Sequence, residues 1–298
     1  MDVRIRREST QSLYRSDCLN HSMDTQAAFE DIKREISQGN PMIGDKVLAL
    51  ARADDDPMTK VKCLSLLKVV NDPGASKEIL RLLMESLPDD RKDLVQISGA
   101  LRGLEYPSSA LSILKGMEQD DSIVRMSALC LIDLDEYEDA LDTVGRIKEI
   151  TPFDRVMLTE IHSALGQHAK AIEIATGLLS EYPQNYQVRR AYVSSLILGG
   201  RDKEAGKYAR SCLKDKTADS NAIAAYVLRI AGNYKAAAGY ATRAINIDNG
   251  HIGAMETLGI CLAEKGEYDK ARIVAGAINE KSPGDKAALN VLSYCEGH

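Results

Sequence analysis

The stretch GNYKAAAGYATRAI at residues 232–245 is echoed by GEYDKARIVAGAI at 266–278. Gly232, Tyr234, Ala237, Ala241 and Ala244 each have a counterpart at one constant offset, in Gly266, Tyr268, Ala271, Ala275 and Ile278. Read backwards from Ala237, the alanine recurs at Ala205, Ala171, Ala140 and Ala110, in steps of about 30–34 residues. Each alanine ends a turn-and-start phrase: GEYDKA, GNYKAA, GRDKEA, GQHAKA, DEYEDA and EYPSSA. Glycine opens four of these phrases (Gly166, Gly200, Gly232 and Gly266), where a left-handed helix terminus meets no Cβ clash. Asp135 and Glu105 open the other two, so the signal fades towards the N-terminus. A chain that repeats itself with a period of about 34 residues stacks copies of one supersecondary unit, none of which buries both its faces alone.

That unit is helical. Pro41, Pro57, Pro73, Pro88 and Pro107 follow one another at intervals of about 15–19 residues. Several come directly after an oxygen-bearing residue: Asn40, Asp56, Asp72, then Thr151 before Pro152 and Ser282 before Pro283. Such a residue caps a helix, and proline in the first turn forfeits no hydrogen bond. The spacing predicts helices of about 12–14 residues joined by short turns. Between these marks Val61, Leu64, Leu67 and Lys68, and Ile79, Leu82 and Leu83, keep the three- and four-residue steps of one helical face. Aromatics are only 5% of the chain with no Trp, a balance that suits close helix packing better than sheets. The alanine stripes lie where neighbouring helices approach most closely. The fold class expected is all-α, a right-handed α-solenoid of about eight antiparallel helix pairs.

Residues 152–285 resemble four tandem tetratricopeptide repeats. The strongest copy starts at Ile252 and carries Leu258-Gly259, Gly266, Tyr268, Ala271 and Pro283. LGQHAKAIEIATGLLSEYP supplies Gly166, Ala171, Ala175 and Pro183 in the same relative places. The copies depart from the family pattern where an aromatic often opens the first helix: Arg155, Arg189, Asn221 and Met255 stand there. The small residue of Gly259 becomes Thr159 and Val193 in earlier copies. DDSIVRMSALCLIDL (120–134) and DDPMTKVKCLSLLKVV (55–70) resemble HEAT-type repeats. The expected organisation is a disordered leader at 1–22, degenerate HEAT- or tetratricopeptide-like repeats at 23–150, and tetratricopeptide-like repeats at 151–298 continuous with them. The first convincing helix opens at Met23.

Charge and composition exclude several roles. A formal charge of −6 argues against a general affinity for nucleic acid, which needs clustered cations. No apolar run reaches the length of a membrane helix, and the leader at 1–22 lacks the apolar core of a secretory signal. The six cysteines (18, 63, 130, 212, 261 and 295) show no C-x-x-C spacing, so buried thiols in a reducing cytoplasm are expected. The acid runs at 54–56, 89–90 and 120–121 lack the layout of a calcium loop and precede helices, where carboxylates cap. His162 sits inside a first helix with no partner of catalytic context, and packing or a groove contact is the expected role. No cofactor, metal or catalytic residue is expected.

The family resemblance implies a non-enzymatic scaffold that binds a peptide or partner protein on the concave face, lined by first helices. Carried over by repeat position, the partner-binding candidates are Glu160, Arg190, Ser194, Tyr226, Arg229 and Glu256. Arg190 and Arg229 can grip carboxylates and Tyr226 offers an amphipathic anchor. As exposed charges, both arginines are expected to tolerate reversal with little loss of stability. The Lys/Asn set with which some relatives clamp a chaperone's terminal carboxylate is not reproduced. The alternatives are an enzyme-associated or lyase-type HEAT-like protein, needing polar groups or thiols that converge on a pocket, and a single-stranded RNA binder, needing a basic inner surface.

Overall fold

The computed structural model describes residues 25–36, 38, 42–282 and 285–296, and the expected leader at 1–22 lies outside them. Among the described residues the regular structure is entirely helical. Helix α1 spans 25–36, starting two residues after Met23. It is followed by α2 (Ile43–Ala53), α3 (Pro57–Val70), α4 (Pro73–Glu85), α5 (Arg91–Gly103) and α6 (Pro107–Lys115). Then come α7 (Asp121–Asp133), α8 (Tyr137–Val144), α9 (Pro152–Ala164), α10 (His168–Glu181), α11 (Tyr186–Leu198) and α12 (Asp202–Cys212). A 3-10 turn (Leu213–Asp215) leads to α13 (Ala218–Ile230), α14 (Tyr234–Ile247), α15 (Ile252–Ala263), α16 (Tyr268–Lys281) and α17 (Lys286–Ser293). No helix among the described residues is long and apolar enough to cross a membrane. The chain divides into two compact units, residues 1–113 and 114–298, with the division inside α6.

The reversals between paired helices share one backbone solution. Gly166, Gly200, Gly232 and Gly266 hold φ between +71° and +77°. Asn71, Glu105 and Asp135 hold φ of +52°, +62° and +58° without being glycine. At each of these seven turns the next amide donates back to a carbonyl five residues earlier, as in Gln167 N to His162 O (2.8 Å), Arg201 N to Leu196 O (2.7 Å) and Tyr106 N to Leu101 O (2.9 Å). This closes the helix end and satisfies a carbonyl that the helix leaves open. Asn71 lies one period before Glu105, so the repeat extends one hairpin further upstream than the alanine pattern shows. The HEAT-like phrases at 55–70 and 120–134 form α3 and α7, which end in this same turn.

The six register alanines (Ala110, Ala140, Ala171, Ala205, Ala237 and Ala271) are completely buried. In unit 2 the stripe continues through Ala241 and Ala244 in α14, and through Ala275 and Ile278 in α16. Gly259 is held small by its neighbour: a Cβ there would lie 2.7 Å from the Val291 methyls of α17. Unit 1 builds its core from Val47, Leu64, Leu67, Ile79, Leu83, Ile97 and Leu101, all fully buried.

Caps follow the sequence reading with two corrections. Asp56 and Asp72 cap α3 and α4 ahead of proline, and Thr151 forms a reciprocal capping box with Asp154 on α9. Asp90 and Asp120 cap α5 and α7, which accounts for the acid runs. Pro88 does not open a helix; the α5 cap comes two residues later at Asp90. Ser282 does not cap one either; its hydroxyl donates to Asp285, which caps α17. The same two-residue offset separates Pro183 from Asn185, the cap of α11. Pro41 and Asn40 lie outside the described residues, and α2 begins after Met42 with no side-chain cap.

Three arginines of unit 2, Arg155 and Arg189 among them, staple one helix to another element. Arg155 Nη1 donates to both Glu181 oxygens at 2.8 Å, tying α9 to the end of α10. Arg189 is nearly buried and donates to Pro183 O (2.6 Å) and Asp215 Oδ2 (2.9 Å), fixing α11 to the turn after α12. Arg125 on α7 grips fully buried Asp154 on α9 through two bonds of 2.8 and 3.0 Å. Burial alone would raise the Asp154 pKa, but Arg125 and Thr151 outweigh it and hold the carboxyl below its ordinary value.

Enlarging Ala237 or Ala271 to Leu overpacks the stripe and costs about 1–3 kcal/mol, read as a lower urea midpoint. Unchanged midpoints in both variants contradict the register. Glu105→Gly relieves a left-handed non-glycine residue and stabilises by up to about 1 kcal/mol, because the ion pair it gives up with Lys68 is half exposed and worth little.

Candidate functional site

The first helices α9, α11 and α13, with the start of α8, wall a groove of about 740 Å³ in unit 2. Helical spacing decides which side chains reach it. Val156, Thr159, Glu160 and Ser163 face it from α9, and Gln187, Arg190, Ala191, Ser194 and Leu198 from α11, three and four residues apart. Tyr226 enters from α13 and Tyr137 from α8.

The structure brings the sequence candidates together. The Ser194 and Tyr226 hydroxyls are 2.9 Å apart. The guanidinium groups of Arg190 and Arg229 stand 5.3 and 5.4 Å from the Tyr226 ring centre, within cation–π range. Arg190 Nη2 lies 3.2 Å from Glu256 Oε2, and Asn290 Nδ2 donates to Glu256 Oε1 at 2.8 Å. Five of the six candidates thus form one network centred on Tyr226. Glu160 lines the same groove nearer Tyr137.

These groups are less solvated than the sequence suggests. Glu256 is largely buried, and Arg190 is about one-third exposed. Burial works against the Arg190 charge, but Glu256, Tyr186 and Tyr226 outweigh it and hold the guanidinium above its ordinary value. Arg229 Nε is buried with no hydrogen-bond partner. Tyr137 donates to Asp135 Oδ1 at 2.8 Å. Burial, then that bond and the nearby carboxylates of Glu160 and Asp133, push its phenol up to about 12.

Four contributors escape a reading of the sequence. Tyr137 carries a signal, the tyrosine shared by the phrases DEYEDA, GNYKAA and GEYDKA, but its exposure to the groove does not follow from it. Asn290 sits on α17, beyond the last complete repeat. Asp133 on α7 and Lys286 on α17 form an ion pair between elements far apart in the chain, which no local pattern announces.

His162 and His251 take structural roles. His162 is buried with Nδ1 2.8 Å from Gln167 Oε1, and burial holds its pKa below the ordinary value. His251 caps α15, with Nδ1 accepting from Ala254 N (3.1 Å) and its ring edge against Tyr186. The described cysteines are buried free thiols, with burial pushing Cys63 up to about 12 and Cys261 to about 11. Among the described residues no group of His, Cys, Asp and Glu is placed to hold a metal ion. The groove offers hydroxyls, an amide, two phenols, two charges and apolar walls, groups suited to hydrogen bonding and contact.

Reversing Arg190 sets a second carboxylate against Glu256. Arg190→Glu is therefore expected to lower stability by about 1–3 kcal/mol, with Glu256→Gln in the same chain restoring part of it. Urea unfolding of the single and double variants measures both; a neutral Arg190→Glu shows that the pair carries no weight.

Residues 228–293 match the tetratricopeptide repeat family. No curated protein sequence matches the chain. Among solved structures, the chain is similar to a tetratricopeptide repeat protein from Parabacteroides merdae at 12% identity and a TM-score of 0.49, covering 80% of this chain and 99% of that one. It is also similar to a thermophilic repeat protein from Thermus thermophilus at 15% identity and a TM-score of 0.35, covering 69% and 98%. Neither likeness bears on the chemistry of the groove. The matched segment takes in the end of α13, the hairpin of α15 and α16 with the α14 helix before it, and α17. Over residues 228–293 the chain thus resembles the tetratricopeptide repeat, the repeat type to which its glycine turns and buried alanines point.

Proposed function

We propose that this protein is a non-enzymatic interaction scaffold whose second unit holds an extended peptide or partner segment in the groove between α9, α11 and α13. One observation carries the reading: side chains from three successive first helices converge on one groove, with Tyr226 joined to both a hydroxyl and two guanidinium groups. An amphipathic ring at the centre of a concave surface is the kind of anchor that dominates binding energy. Hydroxyls and the Gln187 amide can meet a peptide backbone, while Val156, Ala164, Ala191 and Leu198 supply apolar contact. Glu160 in the lining and Glu256 beside it argue against a nucleic-acid strand as the occupant.

Panning a random decapeptide library on the full chain tests the proposal. Enriched peptides are expected to lose at least about tenfold in affinity for Tyr226→Ala, the typical loss at an aromatic hot spot, and to bind Lys235→Ala unchanged on the outer helix α14. Circular dichroism of both variants verifies that they are folded. Equal affinity for the wild type and Tyr226→Ala places binding elsewhere and overturns the assignment.

A further inference from the structure

Two ion pairs in unit 2 join helices that are not neighbours. Arg190 on α11 and Glu256 on α15 have α13 between them, and the long arginine crosses it by lying over Tyr226. Reach alone does not explain the second pair. Asp133 is the last residue of α7 and Lys286 the first of α17, with α9, α11, α13 and α15 in the intervening repeats. In a flat row those steps would separate the two helices by about 40–50 Å, at the usual spacing of about 8–10 Å each. Lys286 Nζ instead contacts Asp133 Oδ1 directly. The row of first helices is therefore curled until its ends meet, and the groove faces the inside of the curl. Asp133 stands at its rim, close enough to the groove-lining Tyr137 to act on its phenol.

We propose that the Asp133–Lys286 pair is a latch that holds the groove of unit 2 closed, and that release of α17 from α7 admits the occupant. The two ends of the contact are unlike. Asp133 is fixed, with its side chain only 5% exposed, whereas Lys286 is 46% exposed and contributes a flexible ammonium. The ammonium end is screened by salt, whereas the buried Asp133 end makes the pair costlier to break than a surface pair. The Arg125–Asp154 contact shows the opposite design, with two parallel bonds onto a fully buried carboxylate. Helix α17 is also tied to the groove itself, because Asn290 donates to the same Glu256 that pairs with Arg190. An occupant that draws Glu256 into its own contacts weakens the Asn290 bond and with it the seating of α17. Opening and binding are thereby coupled through one carboxylate.

The latch concerns the groove of the proposed function, and its test reads access rather than binding. The full chain carries Cys18→Ser and a reporter, Ala191→Cys, in the groove lining; the other five cysteines are buried. The rate of alkylation by fluorescein maleimide is measured with and without Lys286→Met. Loss of the pair is expected to raise the rate at least about three- to fivefold, the shift available from even a surface ion pair. Salt at about 0.5 M is expected to raise the rate in the chain that keeps Lys286 and to leave Lys286→Met unchanged. A Lys235→Cys reporter on the outer helix α14 is expected to react equally in both backgrounds. Rates at Ala191→Cys that ignore both Lys286→Met and salt overturn the latch. A failed peptide screen alongside responsive rates overturns the occupant and leaves the latch standing.

Discussion

Each hairpin rests on a chain reversal that brings two helices together across a methyl group. The left-handed residue ends the first helix, closes its last carbonyls and starts the second helix two residues later. Five residues after the left-handed residue comes an alanine with no exposed surface at six successive turns. The two features depend on each other. A turn that splayed the helices would leave the alanine facing a void, and a larger side chain would force the helices apart.

Two long arginines then tie successive helices of unit 2 together. Arg155 and Arg189 each reach from the start of a first helix to a carboxylate at the end of the following helix or turn. Such staples are geometrically specific, because a guanidinium accepts few arrangements of oxygen around it. They also leave room, since a long chain of methylenes fills less of the inter-helix space than an indole or phenol ring.

The groove is consequently not an empty surface of free charges. Arg190 already has Glu256, Ser194 already has Tyr226, and Asn290 already shares Glu256. An occupant must offer equal or better partners, since a largely buried charge left alone is costly. Selectivity follows from that requirement: a segment able only to cover the groove, without replacing those bonds, gains little.

The recurring period, the four glycines and the buried alanine stripe were legible in the sequence, because each is set by contacts within one hairpin or with the next. The caps at Asp56, Asp72 and Thr151 were legible for the same reason. Glu105, Asp135 and above all Asn71 were harder to read, since a non-glycine residue at positive φ leaves no mark in composition. The six groove candidates could be named from repeat position, but not their pairing, nor Tyr137, Asn290 and the Asp133–Lys286 contact. Those depend on how far successive hairpins rotate, a small angle per repeat that is summed over unit 2. The sequence by itself determined the hairpin and its stacking, through short-range sterics and capping; only the tertiary structure decided which side chains meet across the curl, because accumulated rotation has no local signature.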